Sequence, residues 1–268
     1  EDVVEPFGSI VIDEERYDRP LLMSHLCAYR LAGRLARHKR LLEVGCGTGY
    51  GAFYLGHVAR EVIATDVDRA CVERARELFQ RENVRYLAME GVRLAFVPGA
   101  FDCVGAFQVI EHIPEPRLPA FLSEVARVLA PGGLFIVSTL NLDHNRKRKS
   151  HYQKAGFHEK EFTPEEFRAL LRSVFPNVEV RGLYPRGRHR LYRRLKKWGL
   201  DRWRPRAWNP IRRFFEQTLD TGAYVLRPRC DARAVDLIGI CRTFENGAAS
   251  PPGSRRRTSP ASPWPAQR

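Results

Sequence analysis

The sequence lacks the features that mark membrane-spanning, secreted and zinc-binding proteins. No run of about 18 apolar residues occurs in its 268 residues, which argues against a spanning helix. Its first residues, EDVVEPFGSI, contain neither a basic start nor the apolar core of a signal peptide, and because they do not begin with Met we expect the natural chain to start earlier. Six scattered cysteines form no C-x-x-C pair, which excludes the usual zinc and disulfide frameworks. These absences predict a cytoplasmic protein.

Acidic residues are scarce in two segments, which concentrates the net charge of +14 there. Residues 181–215 hold 13 Lys or Arg and one acid, Asp201, while residues 251–268 hold four Arg and no acid. The remainder is nearly neutral, and its 44% hydrophobic composition is enough for a substantial core. The basic segment is therefore an addition to an ordinary globular body and needs its own explanation.

Strand and helix patterns alternate along the chain, which predicts an α/β fold with a parallel sheet. The predicted strands span residues 40–44, 61–65, 84–88, 102–107, 134–138, 177–183 and 235–241. The predicted helices span residues 20–38, 50–59, 69–81, 118–129 and 164–174, and two short helices are expected within 188–219. Pro131-Gly132-Gly133 predicts a helix end and a turn, and Thr163 predicts an N-cap.

These patterns divide the chain into five expected segments. They are an N-terminal helical segment (1–38), a core (39–185), a basic helical insertion or lid (186–222), a final strand region of the core (223–245) and a disordered tail (246–268).

A glycine-rich stretch, "LLEVGCGTGYGA", follows the first predicted strand at residues 41–52. A strand, such a turn and a helix together predict a nucleotide cradle, because the backbone approaches the ligand closely and helix N–H groups face it. Asp66 ends the second strand, where an acid can accept hydrogen bonds from both hydroxyls of a ribose. Residues 47–52 also match G-x-G-x-x-A, so the turn alone leaves a nicotinamide dinucleotide open.

Glu43 bears on that choice, because it lies within a strand that we expect to be buried. A buried charge is costly unless it is paired or hydrogen-bonded. Glu43 would repel a pyrophosphate and favour a ligand that carries an ammonium group or a cationic sulfur. This points to S-adenosylmethionine (SAM).

Five stretches resemble, in order, the motifs of class I SAM-dependent methyltransferases: "LLEVGCGTGYGA", "VIATDVD", "AMEGVRLAF", "FDCVGAFQVIEHI" and "VLAPGGLFIVSTLN". The resemblance covers residues 25–141, and the later "GFHEKEFTPEEFRALL" is similar to a segment of bacterial ubiquinone-methyltransferase-like and glycan-modifying members. It implies a Rossmann-like seven-stranded sheet whose last strand is antiparallel, helices on both faces, and methyl transfer from SAM.

The resemblance also implies, by position, which residues bind SAM. One group would lie at its methionine part: Glu43, Gly45, Gly47, Gly49 and Gln108. A second group would hold the ribose and adenine: Asp66, Val67, Glu90 and Gly91. The family usually has Asp-Ala where this chain has Glu90-Gly91, so the carboxylate facing the adenine amino group is one methylene longer.

Methyl transfer requires an aligned acceptor and exclusion of water, and a hydroxyl acceptor also benefits from a general base. Polar residues that follow strands four and five would lie at the carboxyl edge of the sheet: Glu111, His112, Asn141, Asp143, His144, His151, Tyr152 and His158. His112 is the first candidate for the base and His158 the second. The alternatives are that His112 only hydrogen-bonds the backbone, and that Glu161 beside His158 pairs with Lys160 or caps the next helix.

A metal is not expected. Some methyltransferases hold a divalent ion with E-x-x-E-H after strand four, but here the first position is Gln108, and a neutral amide is a weaker ligand for a hard cation.

The basic insertion predicts two amphipathic helices, with Leu191, Leu195 and Trp198 on one face of the first. Trp208, Ile211, Phe215 and Leu219 line the second. Residues 186–215 could contact an anionic membrane or a lipid-linked acceptor, or form a lid that packs on the sheet. They could instead grip a phosphate-bearing substrate or RNA. Nucleic acid is not favoured, since few aromatics are placed for stacking on bases.

The leading hypothesis is a SAM-dependent methyltransferase that acts on a small-molecule, glycan or lipid-linked acceptor, at oxygen. Two other hypotheses remain open from the sequence: a nicotinamide-dependent oxidoreductase, and a non-enzymatic SAM-fold protein that binds membrane or RNA through its basic insertion.

Overall fold

The structure, a computed structural model, describes residues 19–148, 152–204, 208–218 and 220–245. The strands are Arg40–Val44 (β1), Glu61–Asp66 (β2), Val84–Ala88 (β3), Phe101–Phe107 (β4), Leu129–Leu140 (β5), Asn177–Pro185 (β6), Tyr224–Arg227 (β7) and Asp236–Arg242 (β8). The helices are Arg19–Leu35 (α1), Tyr50–Leu55 (α2), Arg69–Leu78 (α3), Leu118–Val128 (α4), Leu142–Arg148 (α5), Pro164–Arg172 (α6), Gly187–Lys197 (α7) and Pro210–Thr218 (α8). The predicted tail at 246–268, Leu219 and His151 lie outside the described residues.

The strands form one mixed sheet in the order β3-β2-β1-β4-β5-β8-β6-β7. Strands β1 to β5 pair in parallel, and β8 runs antiparallel to both β5 and β6. The α/β class and the antiparallel last strand are confirmed. The predicted count of seven strands was wrong, because the short segment Tyr224–Arg227 adds an eighth strand along the open edge of β6, with Tyr224 opposite Pro185.

Helices cover both faces of the sheet, and neighbouring residues of each central strand point to opposite faces. Leu41 belongs to a core cluster that includes residues of α1, α2 and α3, whereas Leu42 packs into a second cluster with α4 and α6. In β4, Cys103 joins the first cluster and Val104 the second in the same way. Burial on both faces explains why most residues of these strands are apolar, and it makes Glu43 in β1 an exception.

Several element ends differ from the predictions. The helix predicted over 50–59 ends at Leu55, and the strand predicted over 134–138 starts earlier, at Leu129. Leu129 pairs with Phe101 and Leu134 with Cys103, so Pro131-Gly132-Gly133 forms an irregularity inside β5 and not a turn before it. The Thr163 N-cap is confirmed, and it forms a capping box with Glu166.

The predicted apolar faces of the insertion are buried only in part. Phe215 is buried and Leu195 and Ile211 pack against the core, whereas Leu191, Trp198 and Trp208 are exposed. His189 and Tyr192 are buried instead, because their rings contact Tyr224 (centroids 4.7 Å apart) and Phe215 (4.8 Å) respectively. No helix in the described part of the chain is long and apolar enough to cross a membrane.

Candidate active site

The glycine turn between β1 and α2 is fixed to the end of β2. The amides of Gly45 and Cys46 both donate to the Thr65 carbonyl, at 2.7 and 2.9 Å. A Cβ on Gly45 would lie 2.5 Å from Val109 Cγ2, and φ of +76° disfavours any side chain there. At Gly47, with φ of +53°, an added Cβ would meet no atom within 4 Å. The protein itself excludes side chains at Gly45, while Gly47 borders open space.

The carboxylate of Asp66 is held in place at this edge. Its Oδ2 accepts a hydrogen bond from the Gly47 amide (2.7 Å) and its Oδ1 accepts one from the Asp68 amide (3.0 Å). Each oxygen keeps a second lone pair for another donor. The next side chain, Val67, is 71% exposed although apolar. Asp66 therefore offers a hydrogen-bond acceptor, and Val67 an apolar surface, at the same edge of the sheet.

The Glu90 segment lies beside Asp66, because the Met89 amide donates to the Asp66 carbonyl at 2.8 Å. The Glu90 carboxylate accepts a hydrogen bond from Arg117 at 2.8 Å in an exposed ion pair. Gly91 packs tightly, since a Cβ there would lie 2.9 Å from Val44.

Glu43 is fully buried beneath the turn. Its Oε1 accepts a hydrogen bond of 2.5 Å from the hydroxyl of Tyr29 on α1, whereas its Oε2 has no partner among the described residues. Burial raises the pKa of Glu43 to about 8; the Tyr29 hydrogen bond opposes this increase and the nearby Asp66 adds to it. The site therefore holds a carboxylate that a bound cation would stabilise in its ionised form.

Gln108 follows β4 in a left-handed conformation, with φ of +57°. Its amide donates to the Ser138 carbonyl (3.0 Å), and its side chain donates to Ser138 Oγ (3.2 Å). A left-handed conformation is uncommon for a residue other than glycine. It persists here because Ser138 of β5 holds both the backbone amide and the side chain of Gln108.

A hydrogen-bonded cluster lies beyond the ends of β4 and β5. His158 Nδ1 is 2.9 Å from Glu161 Oε1, and both side chains are buried. Tyr152 donates to the same carboxylate at 2.5 Å and Asn145 at 3.2 Å. Although burial alone would raise the pKa of Glu161, the hydrogen bonds from Tyr152, His158 and Asn145 bring it below its ordinary value. An ionised Glu161 therefore orients the His158 ring.

The two histidines predicted as bases lie together. The ring of His112 is 5.1 Å from that of His158, and His112 Nδ1 is 3.0 Å from the Phe157 carbonyl. His112 is exposed, whereas its neighbour Glu111 is buried and accepts a hydrogen bond from Thr139 at 3.1 Å. Burial raises the pKa of Glu111 to about 8.

Three other candidates have structural contacts. The buried Asn141 side chain donates to the carbonyls of Asp231 (3.0 Å) and Ala234 (2.9 Å) and accepts from the amide of Asp143 (3.2 Å). His144 lies 3.1 Å from the Ala232 carbonyl. These contacts fasten α5 to the loop that leads into β8.

Comparison with known proteins places this geometry in a family. Residues 42–137 match the family described as "Methyltransferase domain". A probable S-adenosylmethionine-dependent methyltransferase of Mycolicibacterium smegmatis is 38% identical over 153 residues, which cover 57% of this chain and 55% of that protein. Over part of its length the chain is therefore similar to SAM-dependent methyltransferases.

Two further likenesses extend the comparison. A ubiquinone biosynthesis O-methyltransferase of Xanthomonas campestris is 34% identical to the methyltransferase domain over 106 residues, covering 38% of this chain and 43% of that protein. A possible histamine N-methyltransferase of Thermotoga maritima has the same fold, with a TM-score of 0.57, 17% identity and coverage of 85% of this chain and 95% of the other. The chain spans about half the length of the curated relatives it matches.

SAM is the cofactor of this methyltransferase domain, and the residues present fit it. The unpartnered buried oxygen of Glu43 suits a cationic ligand, and the open space at Gly47 leaves room for one. The exposed Val67 suits an aromatic base beside a ribose at Asp66. The contacts of individual residues with SAM stay predictions, as does the absence of a required metal; in the described residues no group of three or more His, Cys, Asp or Glu side chains could hold a metal ion.

Sequence reasoning missed the partners that order the methyltransferase site. Tyr29 is a helical residue with no local signal linking it to Glu43. Glu161 was expected to pair with Lys160 or to cap α6, but Lys160 pairs with Glu115, and Thr163 caps α6 in a capping box with Glu166. The close spacing of His158 and Glu161 was the only available hint of their contact.

Proposed function

We propose that this chain transfers the methyl group of SAM to an oxygen of a small-molecule, glycan or lipid-linked acceptor. The observation that carries the proposal is the buried Glu43 carboxylate beneath a glycine turn in a methyltransferase domain, with one oxygen unpartnered in the described structure. Support for oxygen comes from the His158–Glu161 pair, since a hydroxyl acceptor must lose a proton. The similarity to a ubiquinone biosynthesis O-methyltransferase points the same way.

Each element of the site has a distinct role in this proposal. SAM, when bound, supplies an electrophilic methyl carbon. Glu43, Asp66 and the glycine turn hold and orient the cofactor. The Glu159 amide donates to the Glu111 carbonyl at 2.7 Å and so holds the segment 152–162 near the end of β4. In this proposal the segment excludes water from the methyl acceptor.

We further propose His158 as the general base, with Glu161 as its positioning residue and His112 as the second candidate. A proton on Nδ1 directed at Glu161 leaves His158 Nε2 able to accept the acceptor's proton. His112 lacks a carboxylate partner in the described residues, and its ring is exposed. This proposal puts His158 before His112 as the general base, whereas the sequence favoured His112.

Radiolabelled SAM tests the proposal when it is offered with glycan, quinol and lipid pools. We expect label in one of these pools, and His158→Gln should lower the transfer rate about 10²- to 10⁴-fold while SAM binding stays unchanged. His112→Gln is the matched control and should cost less than tenfold. Absence of transfer to every pool despite SAM binding would count against the function, and a fully active His158→Gln would count against the base.

The binding of SAM should depend on pH through Glu43. Its raised pKa, about 8, means that Glu43 in the free protein is mostly protonated at pH 7. A bound cation favours the carboxylate, so binding releases a proton and affinity rises with pH, by up to about tenfold per pH unit below pH 8. Calorimetry in buffers of different ionisation enthalpy measures this proton release. Glu43→Gln should remove the part of the pH dependence that comes from Glu43, so that only the titration of SAM itself remains. If SAM affinity varied with pH identically in both proteins, the pH dependence could not be assigned to Glu43.

The surface of the insertion supports a finer proposal, peripheral contact of residues 186–215 with an anionic membrane. Trp198 and Trp208 are each 74% exposed and Trp203 is 52% exposed, beside many Arg and Lys. Aromatic rings among cations are typical of the membrane interface.

The nicotinamide alternative has less support. A Tyr-x-x-x-Lys spacing, as in some oxidoreductases, occurs once, at Tyr192 and Lys196. Tyr192 is buried in α7 and stacked on Phe215, so its hydroxyl is not placed to act on a substrate.

A further inference from the structure

A cavity of about 720 Å³ opens beyond β5, on the part of the sheet that includes β6 and β7. Its lining comes from α5, the end of β6, α7, the segment after α7, β7 and the loop that leads into β8. Among the described residues, ten cations line it: Lys147, Arg190, Arg193, Arg194, Lys196, Lys197, Arg202, Arg227, Arg229 and Arg233. This cavity is separate from the glycine turn.

Acidic residues cannot neutralise this lining. Asp201 and Asp231 are the two carboxylates that line the cavity in the described part of the chain. Asp231 pairs with Arg233 at 2.9 Å, and Asp201 lies 3.9 Å from Lys196. A large excess of positive charge therefore faces the cavity.

Helix α7 concentrates that charge on one side. Arg190, Arg193, Arg194 and Lys197 follow the i, i+3, i+4, i+7 spacing of a single helical face and all line the cavity. The opposite side holds the buried His189 and Tyr192. Like charges at this spacing destabilise a helix, and a bound anion would relieve their repulsion.

Fixed contacts order part of the lining. Arg193 Nη2 lies 2.9 Å from His144 Nε2, and His144 Nδ1 lies 3.1 Å from the Ala232 carbonyl. These contacts fit a neutral imidazole that donates through Nδ1 and accepts from Arg193. Arg227 stacks over the Tyr184 ring at 5.4 Å. The guanidinium groups of Arg193 and Arg227 are therefore positioned before any ligand arrives.

Helix α5 links the cavity to the candidate base. His144 lines the cavity, while the next residue, Asn145, donates to Glu161 and lies 3.2 Å from the Tyr152 hydroxyl. A molecule anchored in the cavity would thus extend past α5 toward His158.

We propose that this cavity binds a phosphate-bearing group of the methyl acceptor; its role in methyl transfer rests on the function proposed above. Arginine forks match phosphate oxygens in charge and geometry. A volume of about 720 Å³ suits a small phosphorylated moiety and not a nucleic-acid strand. The phosphate can belong to a soluble phosphorylated sugar or to a lipid headgroup, which experiment distinguishes.

Calorimetry on the full chain tests the site with inorganic pyrophosphate, a hexose phosphate, and vesicles of phosphatidylcholine with or without phosphatidic acid. The double variant Arg190→Gln/Arg194→Gln removes two cations from the face of α7. The matched control, Arg74→Gln/Arg172→Gln, removes two exposed arginines of α3 and α6 that do not line the cavity. We expect at least a tenfold loss of anion affinity in the first variant, less than a twofold change in the control, and unchanged SAM binding in both.

Each outcome bears on the proposal. Binding of pyrophosphate or hexose phosphate that the α7 variant loses supports a soluble source, and loss confined to phosphatidic acid vesicles supports a lipid source. The proposal would be overturned if no anion bound, or if both double variants lost the same anion affinity. It would also be overturned if a short RNA bound more tightly than these anions through the same arginines. Anion binding in a protein that does not bind SAM would support the cavity site and contradict the proposed methyltransferase function.

Discussion

Replacing Asp66 with alanine is expected to weaken SAM binding by about tenfold to a hundredfold. The substitution removes the acceptor that we assign to the ribose hydroxyls, and a buried donor left unpaired costs about 1–3 kcal/mol. It also releases the Gly47 amide, which Asp66 holds at 2.7 Å, so the turn loses part of its order. Calorimetric titration of wild type and variant with SAM measures the change.

Asp68→Ala is the matched control, because it removes an equal charge two residues away. Asp68 caps α3 through the Ala70 amide, at 2.9 Å. Its loss should lower the free energy of unfolding modestly, as the loss of a helix N-cap does, and change SAM affinity less than threefold. Equal loss of affinity in both variants would assign the effect to charge alone and contradict a specific role for Asp66.

Gly51→Ala should lower the free energy of unfolding by about 3 kcal/mol, since overpacking a filled core and losing a buried hydrogen bond both contribute. A Cβ at Gly51 would overlap the ring of Tyr29. The Tyr29 ring is buried and its centroid lies 4.3 Å from that of Phe107. Its hydroxyl donates a hydrogen bond to Glu43. Moving it would leave Glu43 buried without a partner among the described residues. Urea unfolding of both proteins measures the loss.

Gly156→Ala provides the comparison for Gly51→Ala, because an added Cβ at this exposed position meets no atom within 4 Å. We expect a change below about 0.5 kcal/mol there. If Gly51→Ala were as stable as this control, Tyr29 could not occupy the packed position described.

The order of strands and helices was predictable because each depends on a local pattern. The buried strand at Leu41 and Leu42 is apolar on both faces, and the capping box at Thr163 is complete within four residues. The eighth strand was not predictable, because Tyr224–Arg227 is short and its place depends on a distant partner, β6. The same holds for α7, whose buried face follows its contacts with Tyr224 and Phe215.

The candidate site was predictable only where it lies at strand ends. Glu43, Asp66 and His112 follow or end predicted strands, so parallel pairing alone brings them to one edge. Tyr29 reaches Glu43 from α1, and Tyr152 and Asn145 reach Glu161 across separate segments. These contacts join different segments of the chain through packing, at separations of 9 to 16 residues, and no pattern within one helix or strand encodes them. The basic cavity likewise gathers residues of six segments, although its charge was visible in the sequence.

Side-by-side titration of the wild-type chain with SAM and with NADH tests the central claim most directly. Saturable SAM binding in the micromolar range, with no saturable NADH binding, is the predicted result, because a bound cation stabilises the ionised form of Glu43 and a pyrophosphate brings no such cation. A folded protein that binds NADH and not SAM would contradict the account.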